Sequence, residues 1–197
     1  MSFPNFIRFF TSNLDVQPNE ISVLLNQCER LSVKKNYVLL NQGDYCKHSF
    51  FVEKGLLRQY ALKENGKEHI LSFAPENWLV TDRDSVYFNQ PSMYSIQALE
   101  DSLIVLIDEN FMLKVSELIP GFNEFNNRLL HNHIRHLQDR ISLLLSADAE
   151  ERYLKFVEMY PDILLRVPQT MIASYLGITP ESLSRVRKEI IYKDQKK

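Results

Sequence analysis

Glu181, Ser184 and Arg185 stand at i, i+3 and i+4, so a helix would carry all three on one face. An arginine can donate two bonds to guanine O6 and N7. A glutamate can accept from cytosine N4, and a serine can bond several base edges. Ser182 and Lys188 flank this row, and Leu183, Val186 and Ile190 supply the apolar positions that would turn it outward. Such a row suits the N-terminal half of a helix that enters a major groove.

Holding that row in place requires two short helices and a tight turn, and VPQTMIASYLGITPESLSRVRKEI has that pattern. Met171, Ile172, Tyr175 and Leu176 make one apolar face. Gly177 stands where a helix end wants positive φ. Thr179 can cap the next helix, with Pro180 at its first position. Counting from Gln169, the small residue Ala173 is fifth and the glycine ninth, with apolar residues at four, eight, ten, fifteen and eighteen. This is helix-turn-helix spacing. Helix pairs of this kind also occur in bundles that bind no DNA; the outward polar face of the second helix separates the two readings.

Charge agrees with that placement. From Arg166 onward the chain has seven basic and three acidic residues, leaving the remainder net −6 in a chain of net −2. A solvated basic terminus would look the same, so charge alone does not decide.

Upstream, the opening reads as helical, and Pro18-Asn19-Glu20 starts a second helix with Ile21, Leu24, Leu25 and Cys28 on one face. From Tyr37 to Ile107, short apolar runs alternate with the turn signals Gly43-Asp44, Lys54-Gly55 and Asn65-Gly66. Period-2 alternation at Leu57, Gln59, Ala61 and at His69, Leu71, Phe73 predicts an antiparallel sandwich or roll. Leu103–Ile107 reads as a buried strand, with Asp108 capping a helix after it. Beyond Pro120, the residues Leu130, Ile134, Leu137, Ile141 and Leu144 recur at four and three, the spacing of a coiled-coil seam. The stripe predicts either a dimer seam or one helix lying on the body. Asp148 with Glu151 reads as a capping box that opens a small C-terminal domain.

Several classes are excluded by residue type. Two cysteines, Cys28 and Cys46, cannot make a disulfide scaffold or a four-thiolate cluster. Neither G-x-G-x-x-G nor G-x-x-x-x-G-K occurs. No apolar run reaches the roughly 18–20 residues of a membrane span. The opening MSFPNFIRFFTSN has no basic n-region or cleavage site, so a cytoplasmic protein is expected. His48 and His69 are isolated, and His131, His133 and His136 do not share a helix face with an acidic partner, so no metal and no cofactor is expected. A cupin-like metalloenzyme would need a ligand set that is absent, and no Ser-His-Asp or activated-Cys signature is present, so the chain reads as a non-enzyme.

Taken in order, these motifs resemble the CRP/FNR family of bacterial transcription regulators. Asn41-Gln42-Gly43-Asp44, Phe51-Val52-Glu53-Lys54-Gly55 and Asn65-Gly66-Lys67-Glu68-His69-Ile70-Leu71 look like the family's cyclic-nucleotide-binding roll. The stripe looks like its dimerisation helix, and Glu181-Ser182-Leu183-Ser184-Arg185 is similar to the E-x-x-S-R motif of the FNR branch. The resemblance implies an α+β fold: an antiparallel β-roll of jelly-roll type, a long dimerisation helix and a C-terminal helix-turn-helix. The limits expected are residues 1–119 for an effector domain, 120–146 for the dimerisation helix and 147–197 for the DNA-binding domain. It further implies a homodimer, with Glu181, Ser184 and Arg185 reading bases and Gln169, Thr170, Thr179, Ser182 and Lys188 as phosphate or accessory contacts. Double-stranded DNA, RNA polymerase and an unknown small-molecule effector are the implied partners, with no membrane. The alternative is a ligand-binding or scaffold protein of the same fold without regulated DNA binding.

The sequence departs from the family in one stretch. The family's phosphate-binding cassette carries a glycine and a glutamate before an Arg-Ser pair, and ENWLVTDRDSVYFNQPSMYSIQA has neither the glycine nor that pair. Ser92 or Met93 stands near the expected arginine. Cyclic AMP is therefore not expected to bind. Either a pocket for another molecule survives, lined by residues 76–97 with Arg83 and Tyr94 as contacts, or the roll is an inert scaffold. The family's hairpin after the second helix is not found after Ile190 either; Lys193, Lys196 and Lys197 are expected to touch phosphates as a tail.

Overall fold

The structure, a computed structural model, describes residues 3–194. Two helices come first, α1 (Pro4–Thr11) and α2 (Pro18–Leu25). Strands β1 (Glu29–Val33), β2 (Val38–Leu40), β3 (Ser49–Lys54), β4 (Leu57–Leu62), β5 (Glu68–Ala74) and β6 (Leu79–Val80) follow. Helix α3 (Arg83–Phe88) then precedes β7 (Ser95–Ala98) and β8 (Ser102–Ile107). The rest is helical: α4 (Glu109–Leu118), α5 (Phe122–Ser146), α6 (Ala149–Met159), α7 (Ile163–Arg166), α8 (Gln169–Leu176) and α9 (Pro180–Asp194). The strands form two four-stranded sheets, ordered β1-β8-β3-β6 and β2-β7-β4-β5. This is the antiparallel roll expected from the alternation and turns. The chain divides into two compact units. One takes in the roll, its helices and α5 as far as Leu129; the other takes in α5 from Leu130, the C-terminal helices and Glu68–Ile70.

Alternation explains the roll interior. Phe50 and Val52 of β3, Leu57 of β4, Ile96 and Ala98 of β7, and Ile104 and Leu106 of β8 point between the sheets into one apolar cluster. The intervening residues Phe51, Val105 and Ile107 point outward, yet they are buried too, beneath α1, α2, α4 and the start of α5. A sheet buried on both faces reads as a continuous apolar run rather than an alternating one, which is why FFV and LIVLI look as they do. Phe6 meets Phe51 edge to face at 5.2 Å, and Phe10 stacks on Phe122 at 6.3 Å. The aromatic opening of the chain is thus the cover of this sheet.

Turn and cap chemistry is where the residue types put it. Gly66 has φ 78° in the β4–β5 turn and donates to Lys63 O at 2.8 Å. Gly55 has φ 98°, and a side chain there would run into Ser102. Asp108 caps α4 by accepting from Phe111 N–H at 2.8 Å. Asp148 and Glu151 form the expected reciprocal box at the start of α6, at 2.9 and 3.1 Å. Cys28 and Cys46 are both buried and free. Burial, reinforced by the charge of Asp108, pushes the Cys28 thiol up to about 12, so it is an unreactive core group.

One buried carboxylate fastens the N-terminal cover. Glu53 is 4 % exposed on β3, and its two oxygens accept the Asn5 and Phe6 N–H groups at 2.8 Å each. Asn5 Nδ2 donates in return to Glu53 O at 2.9 Å. These are unpaired N–H groups at the start of α1, where no residue of the helix could serve them. Burial raises the Glu53 pKa, opposed by the two backbone bonds and by Arg8. A raised folded pKa means that the native state holds its proton to higher pH. The stability linked to that proton is present below the ordinary glutamate value and is lost as pH rises through the folded value. Replacing Glu53 by Ala is expected to lower unfolding stability by about 2–3 kcal/mol in a urea titration. It should also remove this part of the fall in stability above the ordinary glutamate pKa.

Candidate nucleic-acid interface

The C-terminal helices place the row of polar residues on one exposed side of α9. Ile172, Ala173, Tyr175 and Leu176 of α8 are buried, and Leu183 and Val186 of α9 are 0 % and 5 % exposed. Burying that pair directs the opposite side of α9 to solvent. Ala173, 1 % exposed, is small where the two helices meet. Gly177 takes φ 68° and ends α8, and the chain turns directly into α9. Thr179 Oγ1 accepts from Ser182 N–H at 3.2 Å, so this hydroxyl is the cap of α9. Ser182 Oγ lies 3.2 Å from the same oxygen, and Ser182 is half-buried. Their side chains are thus already engaged in the turn.

Glu181, Ser184, Arg185 and Lys188 are all exposed on one side of α9, and Gln169 and Thr170 are exposed at the start of α8. The Glu181 backbone N–H and then the Thr179 hydroxyl hold the Glu181 carboxyl below its ordinary pKa. It therefore stays ionised as an acceptor at neutral pH. Helix α9 continues through Asp194, so Lys193 is helical rather than part of a tail, and its amine pairs with Glu150 at 2.8 Å. Lys196 and Lys197 lie outside the described residues.

The stripe on α5 is uncovered. Ile134, Leu137, Ile141 and Leu144 are 42–57 % exposed, and Leu130 is half-buried. Every residue from 131 to 139 is exposed. Among the described residues, no group of three His, Cys, Asp or Glu side chains is placed to hold a metal. No described helix is long and apolar enough to cross a membrane.

In the roll, the stretch from Asp82 to Tyr94 is closed on itself. Asp82 is 3 % exposed and caps α3, accepting from Asp84 and Ser85 N–H at 3.1 and 3.3 Å. Its other oxygen accepts from Ser92 Oγ at 2.5 Å. Ser92 N–H donates to Asp44 O at 2.8 Å, Gly43 N–H to Ser92 O at 2.7 Å, and Cys46 N–H to Ser85 Oγ at 2.7 Å. Arg83, expected at an effector pocket, is exposed on α3 with its guanidinium 5.9 Å from the Tyr87 ring. Tyr94 is half-buried, and its carbonyl accepts from Ser92 Oγ. A cavity of about 230 Å³ does exist in the roll. It is bounded by other residues, Leu31, Leu40, Phe50 and Leu106 with Tyr45 and His48 among them. The Asp82 network was missed from sequence. Its signal was Asp82 one residue before α3, a residue type that caps helices.

The roll matches the cyclic nucleotide-binding domain over residues 30–117. The chain is 30 % identical over 179 residues to the anaerobic regulatory protein of Pasteurella multocida, covering 85 % of this chain and 65 % of that one. It is 28 % identical over 180 residues to the fumarate and nitrate reduction regulatory protein of Yersinia pestis, covering 85 % and 71 %. The FixK2 structure from Bradyrhizobium japonicum superposes with a TM-score of 0.71 at 19 % identity, over 85 % of this chain and 86 % of that one. The chain is similar to regulators of the CRP/FNR family over most of its length. It spans about two thirds of the length of the relatives it matches. In its own cassette stretch there is no Arg-Ser pair, and a buried Asp82–Ser92 bond is present.

Proposed function

We propose that this chain is a homodimeric transcription regulator of the CRP/FNR family that reads a near-palindromic DNA site through residues 180–190. The observation that carries the reading is the exposed Glu181–Ser184–Arg185 row, held outward by the buried Leu183 and Val186. Arg185 bonds a guanine in two places, Glu181 accepts from a cytosine, and Ser184 adds a neighbouring base edge. Gln169, Thr170 and Lys188 sit where phosphates would pass, and Thr179 and Ser182 shape the turn that presents them. Two copies joined through α5 set two such faces about one helical turn apart, roughly 34–36 Å. The functional division is a roll over residues 1–119, a dimerisation helix over 120–146 and a reading head over 147–197. RNA polymerase is the protein partner, and the cytoplasm the place of action.

The seam is supported by exposure and magnitude. Burying a Leu or Ile stabilises by roughly 1.5–3 kcal/mol, and Ile134, Leu137, Ile141 and Leu144 are about half exposed in one copy. The cassette argues against a cyclic nucleotide. A phosphate near Ser92 would meet the buried carboxylate of Asp82.

Changing Arg185 to Ala is expected to cost about 1–3 kcal/mol per half-site and to relax preference at one base pair. In vitro selection on random duplexes reads this directly, and an unchanged base preference at every position rules the assignment out. Leu137→Asp with Ile141→Asp is expected to give a monomer in sedimentation; an intact dimer removes the seam. Calorimetric titration with cyclic AMP is expected to show no micromolar binding, and a saturating heat in that range would overturn the reading of the cassette.

A further inference from the structure

A reading head is useful only if its angle to the dimer seam is set, because that angle fixes the separation of the two heads. The covalent link between α5 and α6 is short, Ala147 and Asp148, and a link of two residues leaves the angle to be fixed by side chains. Helices α6, α8 and α9 pack on one another, with Phe156, Tyr160, Tyr175, Leu183 and Val186 buried among them. Where α5 meets that body the fit is not tight. A cavity of about 30 Å³ remains between Leu143 and Leu144 on one side and Phe156, Met159 and Leu176 on the other.

One side chain of α5 crosses this gap. The last four carbonyls of any helix lack partners within it. In α8, two of them are served by the turn: Ala173 O accepts from Ile178 N–H at 3.0 Å and Ser174 O from Gly177 N–H at 3.2 Å. Tyr175 O accepts from Arg140 Nη2 of α5 at 2.8 Å, and Leu176 O from Arg152 Nη1 of α6 at 2.8 Å. Both arginines therefore stand at the negative end of the α8 dipole. The Arg140 guanidinium also lies over the Tyr175 ring, 3.7 Å from its centroid. That ring is itself fixed against Phe156 at 5.2 Å and Tyr160 at 5.8 Å.

We propose that Arg140 is the positioning residue that fixes the reading head to the dimerisation helix, by bonding the C-terminal carbonyl of α8 and stacking on Tyr175 at once. The residue next to it, Ile141, belongs to the exposed seam, so one turn of α5 carries both the dimer contact and the grip on the head. Arg152 secures the same helix end from within the head. Lysine cannot replace Arg140 in full, because a point charge on a flexible stem does not donate in a fixed plane and stack at the same time. The part of this proposal that concerns DNA rests on the reading given under Proposed function; the part that concerns the angle does not.

The test uses the full chain with spin labels at Gln138→Cys on α5 and Glu189→Cys on α9, both exposed, diluted with unlabelled protein so that only the distance within one chain is read. The native Cys28 and Cys46 are buried. With Arg140 present, one narrow distance is expected; Arg140→Ala should broaden it, and Arg140→Lys should fall between. An Arg140→Ala distribution as narrow as the parent's, at the same distance, overturns the proposal. The second measurement compares binding to the selected site with binding to sites carrying one or two extra base pairs between the half-sites. Arg140→Ala is expected to lose roughly tenfold in discrimination between spacings, the worth of one charge-assisted hydrogen bond, while affinity for a single half-site and the sedimentation value stay unchanged. Unchanged spacing discrimination counts against the proposal. If the parent protein binds no DNA, the functional reading fails, and the spin-label distances still decide the role of Arg140.

Discussion

Leu183 and Val186 are the two side chains on which the rest of the C-terminal unit depends. Their burial against α8 removes one side of α9 from water, at roughly 1.5–3 kcal/mol each. The other side can then only face outward, and it carries Glu181, Ser184, Arg185 and Lys188. The Gly177 turn and the Thr179 cap keep the two helices in that relation, since neither the positive φ nor the open N–H groups at the start of α9 would otherwise be satisfied. The exposed polar row is a by-product of the apolar packing beneath it.

The roll applies the same physics with a different outcome. Its first sheet is covered on both sides, inward by the second sheet and outward by α1, α2, α4 and the start of α5. Glu53 at one end of this sheet serves the free N–H groups of α1. Asp82 serves those of α3 and takes the hydroxyl of Ser92. In both places a buried carboxylate does what an anionic ligand would otherwise do at a helix start.

The long helix joins these themes. Phe122 and Phe125 at its start are buried in the aromatic cluster, and its middle turns are exposed all round. Toward its end Arg140 holds Tyr175 and the end of α8. A single rod thus presents a core anchor, an uncovered apolar stripe and a polar grip in succession along its length.

The order of residue types was enough to find the antiparallel roll, the long striped helix, the helix-turn-helix and the outward row on α9. Each is written in a local period, a cap or a glycine, and neighbours in sequence decide it. Asp148 with Glu151, Asp108, Gly66 and Gly177 all act on residues within a few positions of themselves. What tertiary structure alone decided lies across long separations. Glu53 is 47 and 48 positions from the N–H groups it serves, and Arg140 is 35 from the carbonyl it holds. Arg83 and Tyr94 sat in the right stretch for a pocket, yet α3 turns Arg83 to solvent and the cavity opens elsewhere in the roll. Lys193 looked like part of a basic tail until α9 continued past it and set it beside Glu150. A charged side chain is written in the sequence as a type, but its partner is chosen by which chain ends and helix termini the fold leaves unsatisfied beside it.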